Sequence, residues 1–244
     1  IGQFMLAAYI VLFLLFLVFP LWALIIKSLQ DSKGHFIGFS NYSLYLQEPA
    51  LFQSFFNSLF IAIVSTLIVV VLAFLFAYSI TRTCMPFKGF FRLVALIPLL
   101  SPSILAAIAL VYWFGNKGVL KALLFGHSIY GPIGIIFASI YWTFPHALMI
   151  LSTSLSLTDS RLYEAAEVLK TSKLRAFLTI TIPGARYGII STTFVIFTQV
   201  FTDFGVPKVI GGNYNVLATD IYKEVVGMQN FQMGAVISLV LLMP

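Results

Sequence analysis

Two groups of residues in this 244-residue chain are of types that can do chemistry. The first is a charged island in which Arg161, Lys170, Lys173, Arg175 and Arg186 mix with Asp159, Glu164 and Glu167 between two long apolar runs. Mixed charge at that density suits gripping a soluble partner. The second group is Thr192, Gln199 and Asp203, spaced by seven and four, so that a helix would carry them on one face. Asp203 is the only acid in or at the edge of an apolar run. An ionisable group at that depth is costly against lipid, so it is either a polar handle for a solute or an interfacial Asp hydrogen-bonded to Thr202 or the backbone. Bond-making chemistry has no counterpart here. His35, His127 and His146 are far apart, and no nucleophile–base or metal-ligand spacing occurs. His146, alone in an apolar run, reads as a hydrogen-bonded packing histidine. The single Cys84 excludes an intrachain disulfide. No Gly-x-x-x-x-Gly-Lys-Ser/Thr loop exists, so the chain is not expected to hydrolyse ATP.

The elements that must position these residues are membrane helices. Hydrophobic residues make up 60% of the chain and charged residues 9%, against about 25% charged in soluble domains. The net charge of +6 is scattered over loops, which argues against nucleic-acid binding. Runs of about 20 apolar residues predict spans at 4–26, 58–80, 90–114, 129–153 and 189–206, with a sixth starting near Met233. Continuous runs favour helices over a barrel. Dense basic residues between Arg82 and Arg92, and again from Arg161 to Arg186, place the N-terminus and the charged island in the cytoplasm. Segments 28–57 and 207–232 then face outside. Ile1 in place of Met, and an apolar run stopping at Pro244, give the expectation of a piece of a longer chain. Pro98 and Pro102 interrupt the third run and Pro145 the fourth, so these helices should kink or unwind, either lining a solute path or merely bending.

Within the island, Leu162, Ala165 or Ala166 and Leu169 recur at helical spacing behind the possible caps Thr158, Asp159 and Ser160. Thr171-Ser172 breaks the pattern. Leu174, Phe177, Leu178 and Ile182 form the apolar face of a second helix that ends at Pro183. The result is a short helix tied by an arm to the fifth span.

Glu164-Ala165-Ala166, Ile180 and Pro183 stand in register with the cytoplasmic signature of ABC importer permeases, the EAA loop, which this segment resembles. Ile182 stands for the usual Leu and Lys170 for the usual Gly. A glycine there suits a positive φ, which Lys adopts at a cost, so the bend differs or Lys170 touches the partner. The resemblance implies an all-α membrane protein: a six-helix type I importer bundle with a cytoplasmic coupling helix, the sixth helix truncated. It implies one permease domain over 1–244 with its coupling loop at 154–187, in a bacterial inner membrane. The chain itself would be non-catalytic, with no cofactor and no metal. ATP would be bound by a separate ATPase subunit docked around Glu164–Lys170. Further partners would be an external solute-binding protein meeting segment 207–232, a second permease half (fused or separate) and lipid. Thr192, Gln199, Asp203, Pro98 and Pro102 would line the translocation path. The segment from Thr202 to Gly212, and Asn215–Thr219 after it, resembles permeases for 2-aminoethylphosphonate or ferric iron. The phosphonate is the expected solute and iron the alternative. A channel or secondary transporter, driven by an ion gradient, is the rival from another class.

Overall fold

The computed structural model describes residues 2–243; Ile1 and Pro244, on which the expectation of a longer chain rests, lie outside them. In chain order the helices are α1 (Gly2–Ser28), α2 (Ser40–Gln47), α3 (Pro49–Arg82), α4 (Lys88–Leu100), α5 (Ser103–Phe114) and α6 (Pro132–Ser156). They continue as α7 (Ser160–Val168), α8 (Lys173–Gly184), α9 (Arg186–Phe201), α10 (Gly205–Ile210), α11 (Leu217–Tyr222) and α12 (Phe231–Leu241). Among the described residues there is no strand beyond an isolated bridge between Gln30 and Phe36. Helices α1, α3 and α6 are each long and apolar enough to cross a membrane, and the bent pairs α4–α5 and α8–α9 add two more if each is one span.

Two of the expected spans differ from the structure. The run 90–114 is not a single kinked helix: α4 and α5 meet at 104°. Pro98 and Pro102 each lack a donor amide and crowd the turn before them, and Ser101 between them is extended at φ −112° and ψ 139°. The run 189–206 stops at Phe201, leaving Asp203 in the connection to α10. By contrast, Pro145 lies inside an unbroken α6.

The chain divides into two compact units, Ile1–Ser58 with Asn215–Pro244, and Leu59–Tyr214. In the first, α12 packs on the end of α1 and on α11. Asn41 pins the end of α1, donating to the carbonyls of Ser28 and Gln30 at 2.8 and 2.9 Å. The start of α11 is held by Ser58 Oγ, which accepts from Leu217 N at 2.9 Å, and by Thr219, whose hydroxyl bonds both polar groups of Val216. Most of α1 is exposed, and of its last ten residues only Ser28 is buried.

In the second unit, close helix packing comes from small residues. Ala62, Ala73 and Ala77 of α3 and Ala138 and Ala147 of α6 are fully buried. Without a hydrophobic drive between helices in lipid, such residues admit near contact of backbones and so more dispersion. The spacing Gly184–Gly188 does this visibly. A Cβ on Gly188 would sit 2.3 Å from Ser154 Cβ, and one on Gly184 would sit 2.7 Å from Thr158 Cγ2. The two contacts together set α9 antiparallel to α6.

Gly188→Leu should therefore overpack the α6–α9 contact and cost about 1–3 kcal/mol. Thermal unfolding of the detergent-solubilised chain should fall, and Ser154→Gly in the same chain should recover part of the loss. An unchanged unfolding temperature would contradict this packing.

Candidate functional site

The charged island folds as α7, a sharp turn and α8. Asp159 caps α7, its Oδ1 accepting from Arg161 N at 2.9 Å. At the other end Lys170 N donates to Glu167 O at 2.9 Å and Thr171 N to Ala166 O at 2.8 Å. This paired closure needs a left-handed residue between the two bonds, and Lys170 supplies it at φ +51°. The position thus has the backbone geometry that a glycine suits. Ser172 then starts α8, accepting from Arg175 N at 3.3 Å.

The hairpin is fastened to the helix bundle through Arg82 and through Phe177, and its two helices are tied to each other. Arg82, at the end of α3, donates from Nη2 to Leu155 O at 2.5 Å and Thr158 O at 2.8 Å. Leu155 O lies in the last turn of α6, where it also accepts from Thr158 N at 3.3 Å, and Thr158 lies just beyond; a cation there is favoured by the helix dipole. The same guanidinium lies 4.6 Å from the centroid of the Tyr163 ring. Tyr163 OH bonds the buried Thr181 hydroxyl of α8 at 2.9 Å. Phe177 of α8 meets Phe74 and Tyr78 of α3 edge to face at 6.0 and 5.2 Å.

That fastening decides which side of α7 is free. Ala166 and Tyr163 face the bundle, whereas Glu164 and Ala165 are exposed. The apolar face expected from Leu162 and Leu169 is turned outward: Leu169 is 77% exposed and Val168 83%. Leu174 and Leu178 of α8 are also exposed, Ile180 is half-buried, and Pro183 is exposed. Only Phe177 of the expected α8 face docks inward. A polar loop that presents leucine and valine side chains beside an acid outside both ion pairs found among the described residues, Asp31–His35 and Asp220–Lys223, is a surface awaiting a cover.

The polar stripe separates into different tasks. Thr192 is fully buried and donates to Gly188 O at 2.7 Å, inside its own helix. Asp203 accepts from Ser103 Oγ at 2.6 Å, from Gly205 N at 3.3 Å and from Val206 N at 2.9 Å. It joins the start of α5 to the start of α10, directly beyond the break at Pro98 and Pro102. Gly205 is required at this junction, since a Cβ there would lie 2.6 Å from Ser103 Oγ. Gln199 keeps a buried Oε1 with no partner among the described residues, as do Trp142 Nε1 and His146 Nδ1. Helix α9 packs along α6, the helix that carries Trp142 and His146. The Trp142 and His146 rings meet edge to face at 5.9 Å. Trp142 was missed by sequence reasoning, and His146 does not have the hydrogen bond expected of it. Their spacing of four on one helix was the available signal.

With this geometry in place, the chain can be compared with known proteins. The family described as "Binding-protein-dependent transport system inner membrane component" matches residues 85–243. The ferric transport system permease protein FbpB of Actinobacillus pleuropneumoniae is 26% identical over 227 residues, 90% of this chain and 33% of that protein. The spermidine/putrescine transport system permease protein PotB of Escherichia coli is 26% identical over 205 residues, 80% of this chain and 74% of that protein. The chain thus spans about a third of the length of the ferric relatives it matches. A chain of a bacterial alginate ABC transporter, crystallised with an alginate pentasaccharide-bound periplasmic protein, superposes with a TM-score of 0.80. It is 18% identical, with 98% of this chain and 87% of that chain covered, and the two share one fold.

Two outcomes follow from the geometry. Lys170→Gly should relieve left-handed strain of about 1 kcal/mol and slow hydrogen exchange of the amides at 169–171; faster exchange would mean that the lysine side chain holds the turn. Asp203→Ala should destabilise the chain by about 1–3 kcal/mol by leaving Ser103 and two amides unpaired. Asp203→Asn, which keeps an acceptor, should lose less. Equal thermal stability of the two variants would contradict a capping role.

Proposed function

The chain belongs to the family of binding-protein-dependent transport system inner membrane components, and we propose that it forms one transmembrane half of an ATP-driven importer of a small solute. The observation that carries the reading is α7 itself, held rigidly through Arg82, Tyr163 and Thr181 while Glu164, Ala165, Val168 and Leu169 are left exposed. A separate ATPase subunit, which binds the ATP, docks on that surface from the cytoplasm. Closure of the ATPase pair displaces α7. Because α8 is packed on α3 through Phe177 and runs into α9 across a 62° bend, the displacement reaches the membrane helices as a rigid movement. The chain is then a two-state element whose equilibrium ATP binding biases. It needs no cofactor or metal of its own. Its other partners are a second permease half, fused or separate, and a solute-binding protein at the outer loops between α10 and α12.

For the solute, the resemblance of segment 202–219 favours an organophosphonate such as 2-aminoethylphosphonate. Ferric iron is the second reading, supported by ferric permeases that match 90% of this chain. Within the bundle, the solute path includes Gln199, whose buried acceptor is unmet among the described residues. Pro98 and Pro102, at the 104° break, provide the flexible part of that path. Thr192 and Asp203 support it by holding helix ends and turns.

Reconstitution of the transporter with its ATPase and binding protein in vesicles tests the reading. Glu164→Arg should reduce ATP-dependent uptake by an order of magnitude or more, while the chain still inserts in the membrane. Uptake that persists without ATP and follows an ion gradient would replace the importer by a secondary transporter or channel.

A further inference from the structure

Near the end of the bundle that carries the hairpin, a cation has no counter-charge among the described residues. Arg92 of α4 is exposed and belongs to neither ion pair found among the described residues. It lines two cavities at once. One, of about 200 Å³, lies between the ends of α3 and α6 and is ringed by the hydroxyls of Thr81, Ser152, Thr153 and Ser156. The other, of about 590 Å³, is an open groove along α4 whose walls are Leu93, Leu96, Ile97 and Leu100.

The chemistry of the small cavity is more specific than its polarity. Each of the four hydroxyls donates its proton to a backbone carbonyl of its own helix: Thr81 to Ala77, Ser152 and Thr153 to Met149, and Ser156 to Ser152. What they present to the cavity is lone pairs. They can accept hydrogen bonds but have none left to donate. A phosphate oxygen is therefore served by Arg92, and the neighbouring group must be a donor. Next to a guanidinium and with no carboxylate in the lining, a neutral hydroxyl donor is favoured over an ammonium.

We infer that Arg92 and these two cavities form a binding site for an anionic phospholipid whose headgroup carries free hydroxyls, of the phosphatidylglycerol type. The phosphate sits on Arg92, the headgroup hydroxyls donate to the ring of Thr and Ser oxygens, and an acyl chain lies in the leucine-lined groove. The placement of α4 agrees. It meets α5 at 104°, carries Lys88 and Arg92 and no acid, and exposes Phe90 and Leu93. The basic first turns of α4 start beside Thr81 and Ser156, and its other end leads to the Ser103–Asp203 junction, so Arg92 stands at the headgroup end of an apolar helix. Basic notches between spans at that level hold anionic headgroups. The site touches the last two turns of α6, whose final carbonyls Arg82 clamps beside α7, so lipid occupancy would stiffen the base of the hairpin.

The test uses the assembled transporter in nanodiscs of phosphatidylcholine with increasing phosphatidylglycerol, and native mass spectrometry of the lipid retained after extraction. Arg92→Gln should retain about five-fold less phosphatidylglycerol, the loss of one basic contact with an anionic headgroup. It should also need correspondingly more of that lipid for full ATPase activity, and Arg92→Lys should recover most of both. Unchanged lipid retention in Arg92→Gln would overturn the site. So would equal retention of phosphatidylethanolamine, or displacement by millimolar inorganic phosphate, which would make the ligand a free oxyanion. Crosslinking of Leu93→Cys, in a chain carrying Cys84→Ser, to a second permease half in the lipid-loaded complex would assign the groove to that subunit and equally refute the inference.

Discussion

One arginine side chain holds three segments of this protein together. Arg82 ends α3, closes the last carbonyls of α6 and stacks against Tyr163 of α7. A charged donor to two carbonyl oxygens at a helix end is among the stronger polar contacts available, about 1.5–3 kcal/mol each. Through Tyr163 the same point is linked to Thr181 in α8. Without it the charged hairpin would hang from the bundle by its peptide connections and the Phe177 contact. With it, α7 is a rigid projection whose outward face is set by which side Tyr163 must occupy.

The second constraint is the loss of backbone donors at Pro98 and Pro102. A helix in lipid must satisfy its own backbone, so such a break survives where other groups take over. Here the takeover is by Ser103 and Asp203. The carboxylate collects one hydroxyl and two amides and ties the restarted α5 to α10. The break and the acid were read from the sequence as separate features. They are adjacent parts of one junction, and the polarity of Asp203 is explained first by that junction. Buried polar atoms left unmet among the described residues lie elsewhere, Gln199 Oε1, Trp142 Nε1 and His146 Nδ1 among them.

Much of the architecture was legible because lipid imposes a simple rule: long apolar runs become helices, and five of the expected runs correspond to helices or bent helix pairs. The motif spacing from Glu164 to Pro183 located the hairpin. Helical periodicity could not give the direction of the faces of α7 and α8. It identifies that residues share a side but not what that side meets, and Leu162 and Leu169 point away from the bundle. Lys170 was readable only as an anomaly. Its φ of +51° follows from the two hydrogen bonds that close α7, which no composition could reveal.

The sequence by itself determined that this chain crosses a membrane, where its helices run, that a charged hairpin joins the fourth and fifth runs, and that no phosphate loop is present. These are consequences of local composition and spacing, which act within a few turns of chain. The tertiary structure decided which polar groups are engaged and which are free, because that depends on partners far away in sequence. Ser103 and Asp203 meet across 100 residues and Arg82 and Leu155 across 73. The pairing leaves Arg92, Gln199 and the outer face of α7 without partners among the described residues, and those are the places where this protein can meet something else.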